Sequence, residues 1–263
     1  VPIAAGIYYG YHEGVSKEKP PVVLVHGAGG DHLYWPPALR RLSGYRVFAP
    51  DLPGHGRSPG PGQQTIAVYA QRLLEFLTAV GLHSAVFVGH SMGGAITLHL
   101  ALEHGEHVVG AVLVACGARL NVPPALIAAT SRTATFPQGL AALSSMAFSP
   151  SASPRLVELG MRRLKHTRQA VLHGDLQACG AYEVANPQRL RALSVPLLVL
   201  SGEDDPLAPP AGANYLGTYV PHAQVAIFPS TGHMLMLEQP ARTAAILRRF
   251  LDQLPYQVGQ ANR

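Results

Sequence analysis

The sequence predicts an α/β fold in which a doubly wound, mostly parallel sheet is covered by helices on both faces. Short apolar runs alternate with segments whose apolar residues recur every three or four positions, and Gly or Pro closes most of the runs. One of the runs passes into a helix-like segment through a turn centred on a serine, Gly89-His90-Ser91-Met92-Gly93-Gly94.

Taken in order, residues 8–12 read as an edge strand, 22–25 as a buried strand and 46–49 as another, with a short helix over 35–42. From 65 to 80, Ile66, Tyr69, Leu73, Phe76, Leu77 and Val80 fall on one helical face, and Gly81 stops the helix. Residues 84–88 form a buried strand and 95–102 a mostly apolar helix, so Ser91 sits between them. Strands over 108–115, 196–201 and 224–228 follow, then a closing helix from about 239 to 254. One stretch breaks the alternation: residues 118–193 are rich in Ala, Ser, Leu and Pro, suit helices, and contain no convincing strand. Such a segment reads as a helical cap inserted over the carboxyl edge of the sheet, where open parallel sheets bind ligands. The expected organisation is a core of residues 1–117 and 194–263 with a cap of 118–193, and a polar tail, 256–263, that frays.

Composition narrows the function classes. Hydrophobic residues make up 48% of the 263-residue chain and charged residues 13%, which excludes disorder and suits one large core. The longest apolar run, 108–118, is too short for a membrane span, and the first five residues carry no secretory-signal pattern. The formal charge is +5, and the densest basic stretch, 162–168, reads as a solvated helix face. No aromatic residues interleave it, so a nucleic-acid partner is not expected. Cys116 and Cys179 form neither a metal-ligand pair nor a redox motif, so no metal or disulfide is expected and the default location is cytoplasmic.

The serine turn carries the chemistry. Ser91 needs a strained backbone, tolerable only because Gly89 and Gly93 let strand and helix approach, and it lies at a helix N-terminus that favours developing negative charge. A serine is a poor nucleophile without a base. Of the 13 histidines, His233 stands out, on a loop between the last strand and the last helix. For the orienting acid, Glu203, Asp204 and Asp205 follow the strand 196–201 directly, and spacing leaves the three open. Oxyanion donors are expected from the backbone of Met92, just after the nucleophile, and of Ala28 in the glycine-rich turn His26-Gly27-Ala28-Gly29-Gly30. That turn lacks both a dinucleotide fingerprint and a Gly-Lys-Ser/Thr ending, so no phosphate cofactor is expected.

With His26–Gly30 as its glycine-rich turn, Asp51-Leu52-Pro53-Gly54-His55-Gly56-Arg57-Ser58, the Gly89–Gly94 elbow, Gly202 to Pro209, and Gly232-His233 followed by Glu238-Gln239-Pro240, the chain resembles the α/β-hydrolase superfamily, specifically its small capped esterases and lactonases. The resemblance implies an eight-stranded sheet, a Ser91, Asp205 and His233 triad, no cofactor, and a structural role for the Asp51 turn. It selects Asp205 over Asp204, since the acid motif of the superfamily matches Gly202, Asp205 and Pro209. A serine at the elbow argues against the dehalogenases and epoxide hydrolases of this fold, which use aspartate there. The implied reaction is hydrolysis of small, largely apolar acyl or aryl esters by a monomer or homodimer. Met92, Met234, Leu235, Leu140, Leu143, Met146 and Phe148 are the candidate substrate-facing residues. A C–C bond hydrolase, a lactonase, a cofactor-free perhydrolase and a small-molecule sensor would share these motifs.

Overall fold

In the computed structural model, which describes residues 2–14 and 18–255, the chain begins with β1 (Ile3–Ala4), β2 (Ile7–His12) and β3 (Val22–Val25). It continues through α1 (Pro37–Arg40), β4 (Val47–Pro50), α2 (Ile66–Ala79), β5 (Ala85–His90), α3 (Met92–Glu103) and β6 (Val108–Val114). Five helices then precede the next strand: α4 (Pro124–Thr130), α5 (Phe136–Ala147), α6 (Pro154–Leu164), α7 (Gln169–Gly180) and α8 (Pro187–Arg191). The chain closes with β7 (Leu197–Gly202), α9 (Pro210–Tyr219), β8 (Gln224–Phe228), α10 (Leu235–Glu238) and α11 (Pro240–Gln253). The frayed tail expected over 256–263 lies outside the described residues. No helix of the described residues is long and apolar enough to cross a membrane.

The eight strands form one sheet in the order β1-β2-β4-β3-β5-β6-β7-β8. The pairs β1·β2 and β2·β4 are antiparallel, and all pairs from β4 through β8 are parallel. Side chains alternate across the sheet, as the two-residue period of a strand requires. Val23, Val25, Phe87 and Leu113 therefore enter a core with Leu73 and Phe76 of α2 and Ile96 of α3. Val22, Leu24, Val88 and Val112 enter a second core with Trp35, Leu39 of α1 and Phe250 of α11. A sheet buried on both faces needs strands apolar at every position, which is why these runs do not alternate in sequence. The β6–β7 helices have a small core of their own, built on Leu126, Leu140, Leu164, Leu172 and Leu176.

Two departures from the sequence reading have local causes. β1 escapes notice because two residues give no periodicity to read. Around Ser91 the strand reaches His90 and the helix starts at Met92, so the turn is a single residue. Glycine makes that possible: a Cβ on Gly89 would strike the Gly93 carbonyl, and a Cβ on Gly93 would strike that of Val25. α3 itself is buried nearly all round, as a helix between a sheet and other helices must be.

Because the neighbour of Gly89 is backbone and has no rotamer to yield, Gly89→Ala is expected to cost about 3 kcal/mol or more in urea unfolding, or to prevent folding. An unchanged unfolding midpoint would mean that β5 and α3 can part freely.

Candidate active site

Ser91 adopts φ 53° and ψ −116°, a left-handed conformation that costs a non-glycine residue about 1–3 kcal/mol. Its neighbours hold it there. Its amide donates to Val114 O of β6 at 2.9 Å, and its carbonyl accepts from Ala95 N at 3.0 Å. Met92, the first residue of α3, has no preceding helical turn to accept its amide, as at every helix start.

Of the three acids considered from sequence, Asp205 alone meets His233. Its Oδ2 lies 2.8 Å from His233 Nδ1, and its Oδ1 accepts from Leu207 N at 2.9 Å and Ala208 N at 3.0 Å. Burial works against ionisation, yet the His233 imidazole and the two amides hold the Asp205 carboxyl below the usual carboxylate range. Glu203 accepts instead from Ser230 N at 3.1 Å, and Asp204 from Ser149 Oγ at 2.8 Å. With Nδ1 engaged, Nε2 is the ring nitrogen of His233 left without a protein partner among the described residues. The loop before it is pinned by Glu238, which accepts from Gly232 N through both oxygens at 3.1 and 3.2 Å and from Ser149 N at 3.3 Å.

His90, which precedes the serine in the elbow, lies beside His233 with ring centroids 4.9 Å apart. Its Nε2–H donates to His233 O at 3.0 Å. Burial, with His233 next, pushes its pKa down to about 3, so it stays neutral and sets no positive charge against the neighbouring imidazole.

The glycine-rich turn is fixed just as closely. Gly27 O accepts from His26 Nδ1 at 2.8 Å and Gly30 N at 3.0 Å. In a trans peptide the amide of Ala28 points opposite that carbonyl. Among the described residues neither Ala28 N nor Met92 N has an acceptor. His26 Nε2 accepts from Leu52 N at 3.0 Å, so its proton is on Nδ1 and the ring is neutral, in keeping with a pKa lowered by burial and by His55.

A cavity of about 70 Å³ brings these groups together: Ala28, Ser91 and His233 line it, with Tyr34, Leu126, Leu143, Phe148, Met161, Cys179, Leu207 and Met234 among its walls. No Asp, Glu, Lys or Arg lines it. Leu143, Phe148 and Met234 of the expected substrate-facing set are therefore at the cavity. Leu140 and Met146 do not line it and pack in or against the small core of the β6–β7 helices. The turn of α5 before Leu140 faces α4, where Gly139 lies against Ala129 and Thr130. Met92 and Leu235 are buried in the two sheet cores, one on each face.

Asp175 of α7, a lone acid in an apolar helix, is fully buried. Its Oδ2 accepts from His55 Nε2 at 2.7 Å and Gly29 N at 2.9 Å, and its Oδ1 from Tyr69 Oη at 2.6 Å. His55 Nδ1 faces Pro53 O at 3.1 Å. Both ring nitrogens thus face acceptors, so His55 is an imidazolium paired with Asp175; burial opposes that charge, and Asp175 outweighs it to raise the His55 pKa. The sequence signal for this pair is the solitary Asp between Leu172 and Leu176. Asp51, for its part, is buried with its carboxylate occupied by His32 N, His32 Nδ1 and Arg57 N at 2.7, 2.8 and 2.9 Å. Among the described residues no cluster of His, Cys, Asp or Glu is arranged to hold a metal ion.

Comparison with known proteins follows this geometry. The model of a family described as "Alpha/beta hydrolase family" matches residues 22–246. A pimeloyl-(acyl-carrier protein) methyl ester esterase of Vibrio atlanticus is 31% identical over 83% of this chain and 89% of its own. A 2-hydroxymuconate semialdehyde hydrolase of Pseudomonas putida is 28% identical over 95% and 92%. Among solved structures, a thermophilic esterase from Thermogutta terrifontis superposes with a TM-score of 0.82 at 25% identity, covering 94% of this chain and 93% of that one.

The His55–Asp175 pair has a signed pH dependence. A folded-state pKa above the free value near 6.5 stabilises the fold fully below that pH, and the benefit fades as pH rises through the folded value. The melting-temperature gap between wild type and His55→Gln should therefore narrow as pH rises above the free value near 6.5. A gap that stays constant or widens would mean that His55 is neutral.

Proposed function

Since the chain belongs to the alpha/beta hydrolase family, we propose that it is a serine hydrolase of carboxylic esters with small, largely apolar acyl or aryl groups. The observation that carries this reading is that Ser91 and His233, the latter held by Asp205, line one apolar cavity whose loop wall includes Ala28. His233 Nε2 takes the proton of Ser91, and the alkoxide attacks the ester carbonyl. The unpartnered amides of Ala28 and Met92 receive the oxyanion, which collapses to an acyl-enzyme as His233 protonates the leaving alcohol. His233 then activates water for deacylation. Throughout, Asp205 keeps the proton of Nδ1 in place and stabilises the imidazolium. Neutral His90 adds no repulsion to that charge.

The helices of residues 118–193 act as a cap in this reading, supported by Leu126, Leu143 and Met161, which they place on the cavity wall. A cavity of about 70 Å³ holds a handful of water-sized groups, so a short acyl chain fits better than a long one. The absence of a cation from the wall disfavours substrates with a second, charged carboxylate, because that charge would be desolvated without a partner. Muconate-type compounds carry such a group, so a C–C bond hydrolase of that type is the weaker reading. An uncharged lactone would be processed by the same groups.

Ser91→Ala should lower turnover of p-nitrophenyl butyrate by on the order of a millionfold while the melting temperature holds. The wild-type enzyme should favour butyrate over the succinate half-ester by about tenfold or more in kcat/KM. Equal rates would refute the neutral-acyl preference. A single acylation burst without steady state would refute the enzyme in favour of a small-molecule sensor.

A further inference from the structure

The cap hydrogen-bonds the oxyanion loop at Gly29, and from both sides. Gly29 N donates to Asp175 Oδ2 of α7 at 2.9 Å, while Gly29 O accepts from Thr167 Oγ1, just before α7, at 2.6 Å. The contact leaves no slack. Gly29 has φ +64°, and a Cβ there would stand 3.0 Å from Leu172 Cδ1 and 3.2 Å from Thr167 Cγ2. The side chain of Ala28 packs on the same small apolar core, so this loop is the floor on which the cap rests.

These contacts reach the reacting centre through the backbone. Binding the two sides of Gly29 fixes the peptide units before and after it, and the second of these carries the Gly30 amide. Gly30 N is one of the two donors on Gly27 O, and Gly27 O shares its peptide unit with Ala28 N. The direction of the Ala28 amide is therefore set, two peptide units away, by a carboxylate and a hydroxyl that belong to the cap. The first of these is itself immobilised by His55 and Tyr69, both from the core.

We propose that docking of the cap and assembly of the oxyanion hole are one event, with Asp175 and Thr167 as positioning residues for the Ala28 amide. The proposal rests on the esterase reading above. When α7 lifts, Gly29 loses an acceptor and a donor together, its backbone is free to turn, and the hole loses one of its two amides. A cap that only shields the cavity would hold substrate without touching the oxyanion. Asp175 is built for more than shielding: a carboxylate holding His55 and Tyr69 already fixes the cap, and the bond to Gly29 N adds nothing to that unless the loop needs an anchor.

The test compares Asp175→Asn and Thr167→Ala with wild type in steady-state hydrolysis of p-nitrophenyl butyrate, in the rate of Ser91 labelling by a fluorophosphonate, and in thermal melts. Full loss of an oxyanion donor costs roughly 100- to 1,000-fold, so a misdirected one should cost roughly 10- to 100-fold in kcat for D175N and about threefold or more for T167A. KM should stay within about twofold and labelling should slow in parallel with kcat, because both reactions build charge on an oxygen in the hole. Wild-type kcat in T167A overturns the proposal whether or not D175N folds, and so does wild-type kcat in folded D175N. If wild-type enzyme hydrolyses no ester, the esterase reading falls, while the labelling rates of the variants still decide the clamp.

Discussion

The approach of β5 to α3 across Gly89 and Gly93 is the contact on which the site depends. It lets a strand ending at His90 and a helix starting at Met92 share one residue between them, and that residue is Ser91. Its left-handed backbone would relax if the strand and helix could separate by the width of a methyl group. They cannot, because β3 and β6 grip the same place: Gly93 packs against the Val25 carbonyl and Ser91 N bonds Val114 O. The strain at the serine is thus sustained by a sheet buried on both faces.

Around that point the buried ionisable groups are set in opposite protonation states by their partners. Asp205 is an anion because His233 and two amides face it, whereas His90 and His26 are neutral because burial and a neighbouring imidazole outweigh the carbonyl to which each donates. His55, 4.8 Å from His26 between ring centroids, is charged because both its nitrogens meet acceptors. Three rings of one chemical type therefore occupy two different states. What differs is the list of atoms within hydrogen-bond reach.

This contrast explains what the sequence could reveal. Strands 22–25 and 224–228 are legible to the residue, since each is a short, largely apolar run with abrupt ends. The serine turn, the acids after β7 and His233 after β8 stand out as candidates because each lies in a local pattern at a strand end. The segment 118–193 is legible only as helical. Its Ala-, Ser- and Leu-rich text gives little contrast between faces, so Leu140 and Met146 read as cavity residues although they pack among helices. The His55–Asp175 pair spans 120 positions: the solitary acid of α7 marks one member, and nothing local names its partner. Spacing leaves Glu203, Asp204 and Asp205 open and the superfamily resemblance favours Asp205, the carboxylate that the β7 exit points at the His233 ring.

The elbow is also early in the chain, and its partners are late. β3, β5, α3 and β6 are complete by Val114, whereas Asp205 follows β7 and His233 follows β8. During synthesis, a nascent chain can pack its first strands around Ser91 well before the residues of its final quarter have emerged. Until they do, Ser91 has neither His233 nor Asp205 in place. On the proposed mechanism the order of the sheet acts as a timer, keeping base and acid from the serine until the last strands have docked.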